Sequence, residues 1–395
     1  MKNLYNDLMK LCDGSDAFYF SDRIVNNRTF RVFNYRLTSW TEMLRPNAKN
    51  CRGTTFIMPE RECQHINRGD GYYDSIPTEP ELVCLPPEKF FNVEEGGVDH
   101  TQYKIGCSMT KLDGSLISTV WDDNDGYILK SKSSFESEQV VMATKWLSLP
   151  ENVQFNAVLR LLTESGYTVN MEMTSPENRI VVLYQETRLT ILNVRDYMSN
   201  MKTYYGDSLV KLLSEYDIDH DYIKRNVVKY ENLETMEHSV ISDMKNEEVG
   251  EGYVVEIKHP DDTYLVKVKN HKYLSLHKTK DSVNTPSRLF EAVINEYSDD
   301  LRGLFYDDPY SMNKLNVMEA QVIPIFNGII STVESFHRWN AHLERKEYAI
   351  EAQTVHPELI GLLMNEYLGR ENDYKSFAIK NMAMFNINEQ VVIGE

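Results

Sequence analysis

Between Arg28 and Lys269 the chain consists of short β-type runs separated by turn residues, and beyond Lys280 it changes to helical spacing. That switch limits the fold more than any other feature of the sequence. CRGTTFIM, SLISTVW, YILKSKS, YTVNMEM, RIVVLYQ, RLTILNV, GYVVEIK and TYLVKVK carry the alternation or the β-branched and aromatic enrichment of strands. DDNDG, SPEN, QET and HPDD punctuate them. Connections this short join antiparallel neighbours, so the first part is expected to be twisted antiparallel sheets. SSFESEQVVMATKWLSL and FNAVLRLLTESG interrupt the β pattern as helices, the second stopped by Gly166 as a C-terminal cap. The opening MKNLYNDLMKLCDGSDAF reads as a short amphipathic helix, and Asn6 and Asp7 stand where an export signal would need apolar residues. After Lys280, TPSRLFEAVINEYSDDLRGLF, MEAQVIPIFNGIISTVESFHRWNAHL, RKEYAIEAQTV, HPELIGLLMNEYLG and YKSFAIKNMAMF are helical in period. The expected architecture is α+β: a sheet-rich domain over residues 1–281, then an all-helical domain over 282–395. The glycine-, proline- and acid-rich stretch around residues 58–87 is expected to be a surface loop of the first domain.

Several function classes are disfavoured at once. The five cysteines, Cys12, Cys51, Cys63, Cys84 and Cys107, form no CxxC pair, which argues against a disulfide framework or a structural zinc site and fits a reducing cytoplasm. His271/His277 and His337/His342 have finger-like spacing but no CxxC upstream. No apolar run approaches the roughly 20 residues needed to span a bilayer. The formal net charge of −18 opposes nonspecific coating of nucleic acid, yet it leaves room for a local basic site. Lysines do gather, with Lys104, Lys111, Lys130 and Lys132 in one stretch and Lys258, Lys267, Lys269, Lys272, Lys278 and Lys280 in another. A solvated strand face is the plain alternative for either cluster.

The stretch TKLDGSLIST places Lys111 two residues before Asp113-Gly114, at the mouth of a tight turn between two strands. A K-x-D-G string alone says little. Downstream, however, stand Glu172 within NMEMTSPENRIVVLYQ, Glu251-Gly252 opening EGYVVEIK, and Lys267 and Lys269 in LVKVK. Strand residues two apart point to the same face, so Lys267 and Lys269 would present two cations to one anion. Singly, Glu172 fits a solvated strand position and the lysine pair fits an edge that discourages aggregation. Together, in this order, they outline a phosphate site.

KLDGS, NMEM, EGYVV and VKVK resemble, in order and spacing, the signature motifs of covalent nucleotidyltransferases: DNA ligases, RNA ligases and mRNA capping enzymes. The resemblance is closer to the RNA ligase 1 family of T-even bacteriophages. It extends through RTFRVFNY, NCRG, EKFFN, LKSKSS, KYLSLH and YSDDL over nearly the whole chain. Leu112 replaces the glutamate usual after the nucleophile, and the acidic loop before Glu88 is longer than in the family.

The resemblance implies the nucleotidyltransferase fold for the first domain and an RNA-selecting role for the helical one. It implies an ATP-dependent RNA ligase that joins 5′-phosphate and 3′-hydroxyl ends, a tRNA broken in its anticodon loop being the expected substrate. Lys111 would attack the α-phosphorus of ATP, and the adenylate would pass to RNA. A free lysine, with a pKa of about 10.4, is protonated at neutral pH, so the attacking form must be the neutral amine. Neighbouring lysines and Mg²⁺ would favour that form. By the same resemblance Lys267 and Lys269 contact the α-phosphate, while Glu172 engages the ribose or a metal-bound water. Glu251 would help hold Mg²⁺ through water, with Mn²⁺ as an alternative ion. Tyr35, Arg52, Lys89 and Lys132 would serve the β- and γ-phosphates. Phe91, Gly114 and Gly252 would complete the nucleotide pocket, although KFFN fits a core strand equally well. Tyr273, Asp299 and Asp300 match positions near a second, structural metal site; a helix cap or solvated pair is the plain alternative for the two aspartates. The implied setting is the cytoplasm, the host's if a phage encodes the chain, with no membrane and no obligate protein partner. A competing reading keeps the fold for assembly, such as tail-fibre attachment, without using the chemistry.

Overall fold

A computed structural model describes residues 2–59, 79–122, 126–176, 182, 184–260, 262–277, 285–306 and 309–387. The chain divides into two compact units, Met1–Tyr35 with Trp40–His277, and Arg36–Ser39 with Lys278–Glu395.

The first unit carries strands β1 (Phe18–Val25), β2 (Arg28–Tyr35), β3 (Thr54–Ile57), β4 (Glu81–Cys84), β5 (Phe91–Asn92), β6 (Lys104–Lys111), β7 (Ser115–Val120), β8 (Ile128–Lys130), β9 (Tyr167–Thr174), β10 (Arg188–Asp196), β11 (Thr203–Tyr204), β12 (Tyr230–Thr235), β13 (Gly252–Lys258) and β14 (Thr263–Lys269). They form three sheets, in the orders β1-β2-β3-β4, β11-β10-β9-β7-β8 and β12-β6-β13-β14-β5. Neighbours are antiparallel, as short connections require, apart from the parallel pair of β14 and β5. The amphipathic opening is a helix over Lys2–Gly14 whose Leu4, Leu8 and Leu11 are buried. Gly166, at a φ of +91°, stops the helix Val153–Glu164, because a left-handed cap is cheap only for a residue without a Cβ.

Two expectations change. Asp113-Gly114 is not a hairpin turn: β6 belongs to one sheet and β7 to another, so Leu112–Gly114 carries the chain across between sheets. The dipeptide looks the same in either setting, because only the pairing partners tell the two apart. RIVVLYQ lies largely outside the described residues, and Tyr184 within it is not in a strand. Strands β1, β6 and β12 carry polar residues through much of their length and show no clean alternation, so sequence reasoning did not single them out.

Side-chain alternation then sorts each strand. On β9, Val169, Met171 and Met173 are buried in a cluster with Leu159 and Leu162 of the helix Val153–Glu164. The other face carries Thr168, Asn170, Glu172 and Thr174, and Asn170 is tied to Ser118 at 2.7 Å and Asn193 at 3.0 Å. On β14, Val266 and Val268 join a core with Val255 and Ile257, which turns Lys267 and Lys269 to the opposite face.

The second unit is helical: Pro286–Ile294, Ser298–Leu304, Pro309–Asn340, Arg345–Val355, Ile360–Tyr367 and Tyr374–Lys380. Its core gathers Phe290, Met318, Val322, Val333, Leu363 and Phe385. The short segment Arg36–Ser39 belongs here, and not with the sheets that flank it in sequence. Leu37 enters the helical core, its carbonyl accepts from Asn327 Nδ2 at 3.1 Å, and Arg36 pairs with Glu334 at 2.7 Å. Its four residues carry no helical period, so no local pattern groups them with the helices.

Phe290 is fully buried and packs edge-on against Phe385 at 4.9 Å. Phe290→Ala is expected to destabilise the helical unit by about 3–5 kcal/mol, read from the urea midpoint of the full chain.

Candidate active site

Where β6 ends and β13 begins, register places Lys111 directly opposite Gly252, and Gly252 opposite Lys269 on β14. Glu251, immediately before Gly252, is thereby set between two lysines. Its Oε2 lies 2.5 Å from Lys111 Nζ and its Oε1 lies 3.1 Å from Lys269 Nζ. Glu251 is only 4% exposed. Burial disfavours its charge, but Lys111 and Lys269 outweigh that and hold the carboxyl below the usual range. The loop that presents it is fixed by buried Asn270, whose Nδ2 donates to Gly250 O at 2.8 Å and whose Oδ1 accepts from Tyr273 N at 2.6 Å.

Gly252 is required by close approach and by conformation. Its φ is +136°, and a Cβ there would stand 2.1 Å from the carbonyl oxygen of Val268. Gly114 is required by contact alone, since a Cβ would lie 2.3 Å from Met173 O. The contact lets Gly114 N–H reach Glu172 Oε1 at 3.1 Å, joining the crossing segment to β9. Glu172 keeps some solvent contact, but its carboxylate is enclosed. That burial, with some help from the Glu251 charge, raises its pKa to about 7 against the pull of Lys111 and Arg52.

These groups open onto a cleft of about 320 Å³. Five cationic side chains, Arg52, Lys89, Lys111, Lys267 and Lys269, face one lining carboxylate, Glu172. In a chain of net charge −18 this is a concentrated positive site. Leu116, Leu192, Val254 and Leu265 give the same cleft an apolar part. Tyr35 lines it, with Lys132 Nζ 4.1 Å and Lys89 Nζ 5.6 Å from its ring centroid. Arg52 is steered by Pro87, whose carbonyl accepts from it at 3.4 Å.

Of the residues singled out from sequence, Tyr35, Arg52, Lys89, Lys111, Gly114, Glu172, Lys267 and Lys269 share this cleft. Glu251 and Gly252 stand behind Lys111, and Lys132 reaches the cleft through Tyr35. Phe91 takes the second of its two expected places, the core. Its ring is buried against Trp40 at 4.2 Å, and alternation along the strand leaves Phe90 to line the cleft. Tyr273 belongs to the first unit, with its hydroxyl donating to Asp113 at 2.9 Å, whereas Asp299 and Asp300 begin a helix of the second unit. Among the described residues, no group of three or more His, Cys, Asp or Glu side chains gathers to hold a metal ion.

Sequence reasoning missed Asp113, which it read as a turn residue. Asp113 is 2% exposed; its Oδ1 accepts from Tyr273, its Oδ2 accepts from Val182 N at 2.7 Å, and its own N–H donates to Tyr184 Oη at 2.9 Å. It braces the crossing segment beside Lys111. Asp followed by Gly was the only signal, and it pointed to a turn.

A model of the RNA ligase family matches residues 50–274, and one of the T4 RNA ligase 1 C-terminal domain matches residues 280–393. The chain belongs to the RNA ligase family. A protein of Autographa californica nuclear polyhedrosis virus that carries the name bifunctional polynucleotide kinase/RNA ligase is 27% identical over 243 residues, 57% of this chain. The chain spans only 33% of that relative's length. Among solved structures, an archaeal ATP-dependent RNA ligase aligns with 82% of this chain and 78% of its own, at a TM-score of 0.45 and 11% identity. A Naegleria gruberi RNA ligase with PPi aligns with 46% of this chain and 53% of its own, at a TM-score of 0.34 and 17% identity. Among the described residues no helix of this ligase-family chain is long and apolar enough to cross a membrane.

Two variants test the geometry. Gly114→Ala forces a backbone contact apart and is expected to cost about 1–3 kcal/mol in thermal unfolding. Glu172 has a native pKa near 7 against an ordinary value of 4.5. Between those pH values the native state therefore holds a proton the unfolded chain has released, so this group's contribution to stability falls as pH rises through that window. Glu172→Gln keeps an acceptor for Gly114 and does not titrate. Its unfolding free energy is expected to match wild type near pH 4.5 and to exceed it at pH 8 by on the order of 1–3 kcal/mol, read from thermal unfolding at each pH.

Proposed function

We propose that the chain is an ATP-dependent RNA ligase that seals a 5′-phosphate to a 3′-hydroxyl through a Lys111–AMP phosphoramidate. The observation that carries this reading is the Lys111 ammonium held 2.5 Å from Glu251 at a cleft where five cations face one carboxylate. A triphosphate needs such a site, and the apolar part beside it accommodates a base.

Lys111 Nζ attacks the α-phosphorus of ATP, the N–P bond forms, and the bond to pyrophosphate breaks. Lys267 and Lys269, on one face of β14, neutralise charge on the α-phosphate, while Arg52, Lys89, Lys132 and Tyr35 serve the β- and γ-phosphates. A 5′-phosphate oxygen of RNA then takes the adenylate from Lys111. The 3′-hydroxyl attacks that phosphate, and AMP leaves. Glu251 orients the Lys111 amine throughout. Positioning and charge neutralisation supply most of the catalysis, since the chain donates no carbon chemistry.

Among the described residues no third His, Cys, Asp or Glu completes a metal group with Glu172 and Glu251, and the two would hold an ion that keeps most of its water, as Mg²⁺ does. Bound there, Mg²⁺ supplies further neutralisation of phosphate charge. We infer that the RNA is a tRNA cleaved in its anticodon loop, chosen by the helical unit, and that the setting is the cytoplasm of a phage-infected cell. The match of residues 280–393 to the T4 RNA ligase 1 C-terminal domain supports that assignment.

The test is incubation with Mg²⁺ and α-labelled ATP or GTP without RNA. Acid-labile label from ATP on the denatured chain, at least about a hundredfold lower in Lys111→Ala, is the expected outcome. Label from GTP would replace ligation with capping chemistry, and no label from either would return the fold to an assembly role. Sealing of a nicked anticodon stem-loop in preference to linear RNA checks the tRNA assignment.

A further inference from the structure

Lys130 ends β8 and is wholly buried. Among the described residues no carboxylate neutralises it. Burial first, then the positive charges of Arg52 and Lys132, lower its pKa to about 8, with Cys84 opposing. A charge kept in such a place costs stability, and an apolar side chain would fill the space at less cost. What an apolar residue cannot do is donate hydrogen bonds. The Lys130 ammonium donates to Gly53 O at 2.9 Å and to Lys132 O at 3.1 Å, two carbonyls far apart in sequence.

The same carbonyls lie at the centre of a wider junction. Lys132 O also accepts from Asn34 Nδ2 at 3.3 Å, Asn34 O accepts from Cys51 Sγ at 3.1 Å, and Gly53 N–H donates to Phe33 O at 2.7 Å. Gly53 has a φ of +92°, and a Cβ there would meet Lys132 O at 2.5 Å and Lys130 Nζ at 2.9 Å. Each arm of the junction is next to a side chain at the triphosphate end of the cleft. Asn34 precedes Tyr35, Gly53 follows Arg52, and Lys132 is itself the third. The buried ammonium thus ties Gly53 to the backbone of Lys132, and Asn34 joins the same Lys132 carbonyl through its own side-chain amide.

We propose that Lys130 is a positioning residue that sets Tyr35, Arg52 and Lys132 for the β- and γ-phosphates of ATP, and so governs capture of the nucleotide and not the sealing of RNA. The inference rests on the ligase reading. Once Lys111 has been adenylylated, pyrophosphate has left and those three side chains have lost their partner. Removal of Lys130 therefore acts on the first step only.

Lys130→Met keeps length and volume without the donors. In the full-length protein the KM for ATP in Lys111 labelling is expected to rise about tenfold or more, with kcat near wild type. Sealing of RNA that already carries a 5′-adenylate is expected to stay within about twofold. Asn34→Leu, which removes the other donor to Lys132 O, is expected to shift the same KM in the same direction by less, and it decides the matter if Lys130→Met does not fold. A binding measurement without chemistry runs beside these. ATP should raise the wild-type melting temperature more than AMP does, and Lys130→Met should lose that extra rise. An unchanged KM, or parallel loss of labelling and of sealing, would overturn the proposal in favour of a purely structural lysine. If wild type takes no label at all, the ligase reading fails separately, and the ATP-over-AMP difference alone decides: kept in Lys130→Met it overturns the positioning role, lost it supports it.

Discussion

The site depends on one carboxylate shared by two lysines. Glu251 is nearly excluded from solvent and bridges Lys111 and Lys269 from the two strands that flank β13 in one sheet. A buried carboxylate without partners would protonate, and two lysines this close without a carboxylate would repel each other. The register that sets Lys111 opposite Gly252 and Gly252 opposite Lys269 solves both problems, and it also directs two cations to the cleft. Gly252 makes the arrangement possible, because any side chain there would overlap the Val268 carbonyl.

The second constraint is the crossing from β6 to β7. Lys111 is the last residue of β6 in one sheet, and four residues later the chain is in another. Asp113 fixes that passage with three hydrogen bonds, and Gly114 lets it press against β9 closely enough to bind Glu172. Lys111 and Glu172 are held by different sheets, yet the same short segment touches both. A cleft between sheets has room for a ligand that a hairpin turn would not have.

Charge in this region is sorted by depth. Lys130 and Arg195 are fully buried and bind carbonyls: Lys130 holds Gly53 and Lys132, while Arg195 reaches Pro86 O at 2.7 Å and Asn50 Oδ1 at 3.0 Å. Both hold the backbone beside residues that line the cleft, including Arg52 and Lys89. Of the lining lysines, Lys111 and Lys269 pair instead with a carboxylate, Glu251. A chain of net charge −18 thereby gathers cations at one cleft.

The sequence by itself determined the class of fold, the change from strands to helices near Lys280, and the identity of the charged residues, because alternation and motif spacing are local properties of the chain. That Lys267 and Lys269 share one face was legible from strand periodicity, but not that this face and Glu172 meet at one cleft. Tertiary structure decided which strands share a sheet, and so turned an apparent hairpin at Asp113-Gly114 into a bridge between sheets. It decided between core and cleft for Phe91, since alternation shows that two neighbours face opposite ways but not which of them faces the cleft. It placed Arg36–Ser39 with the helices, through a buried Leu37 that no local pattern marks. It also gave Lys130 its role, because a lysine in a strand looks solvated until the packing around it is known.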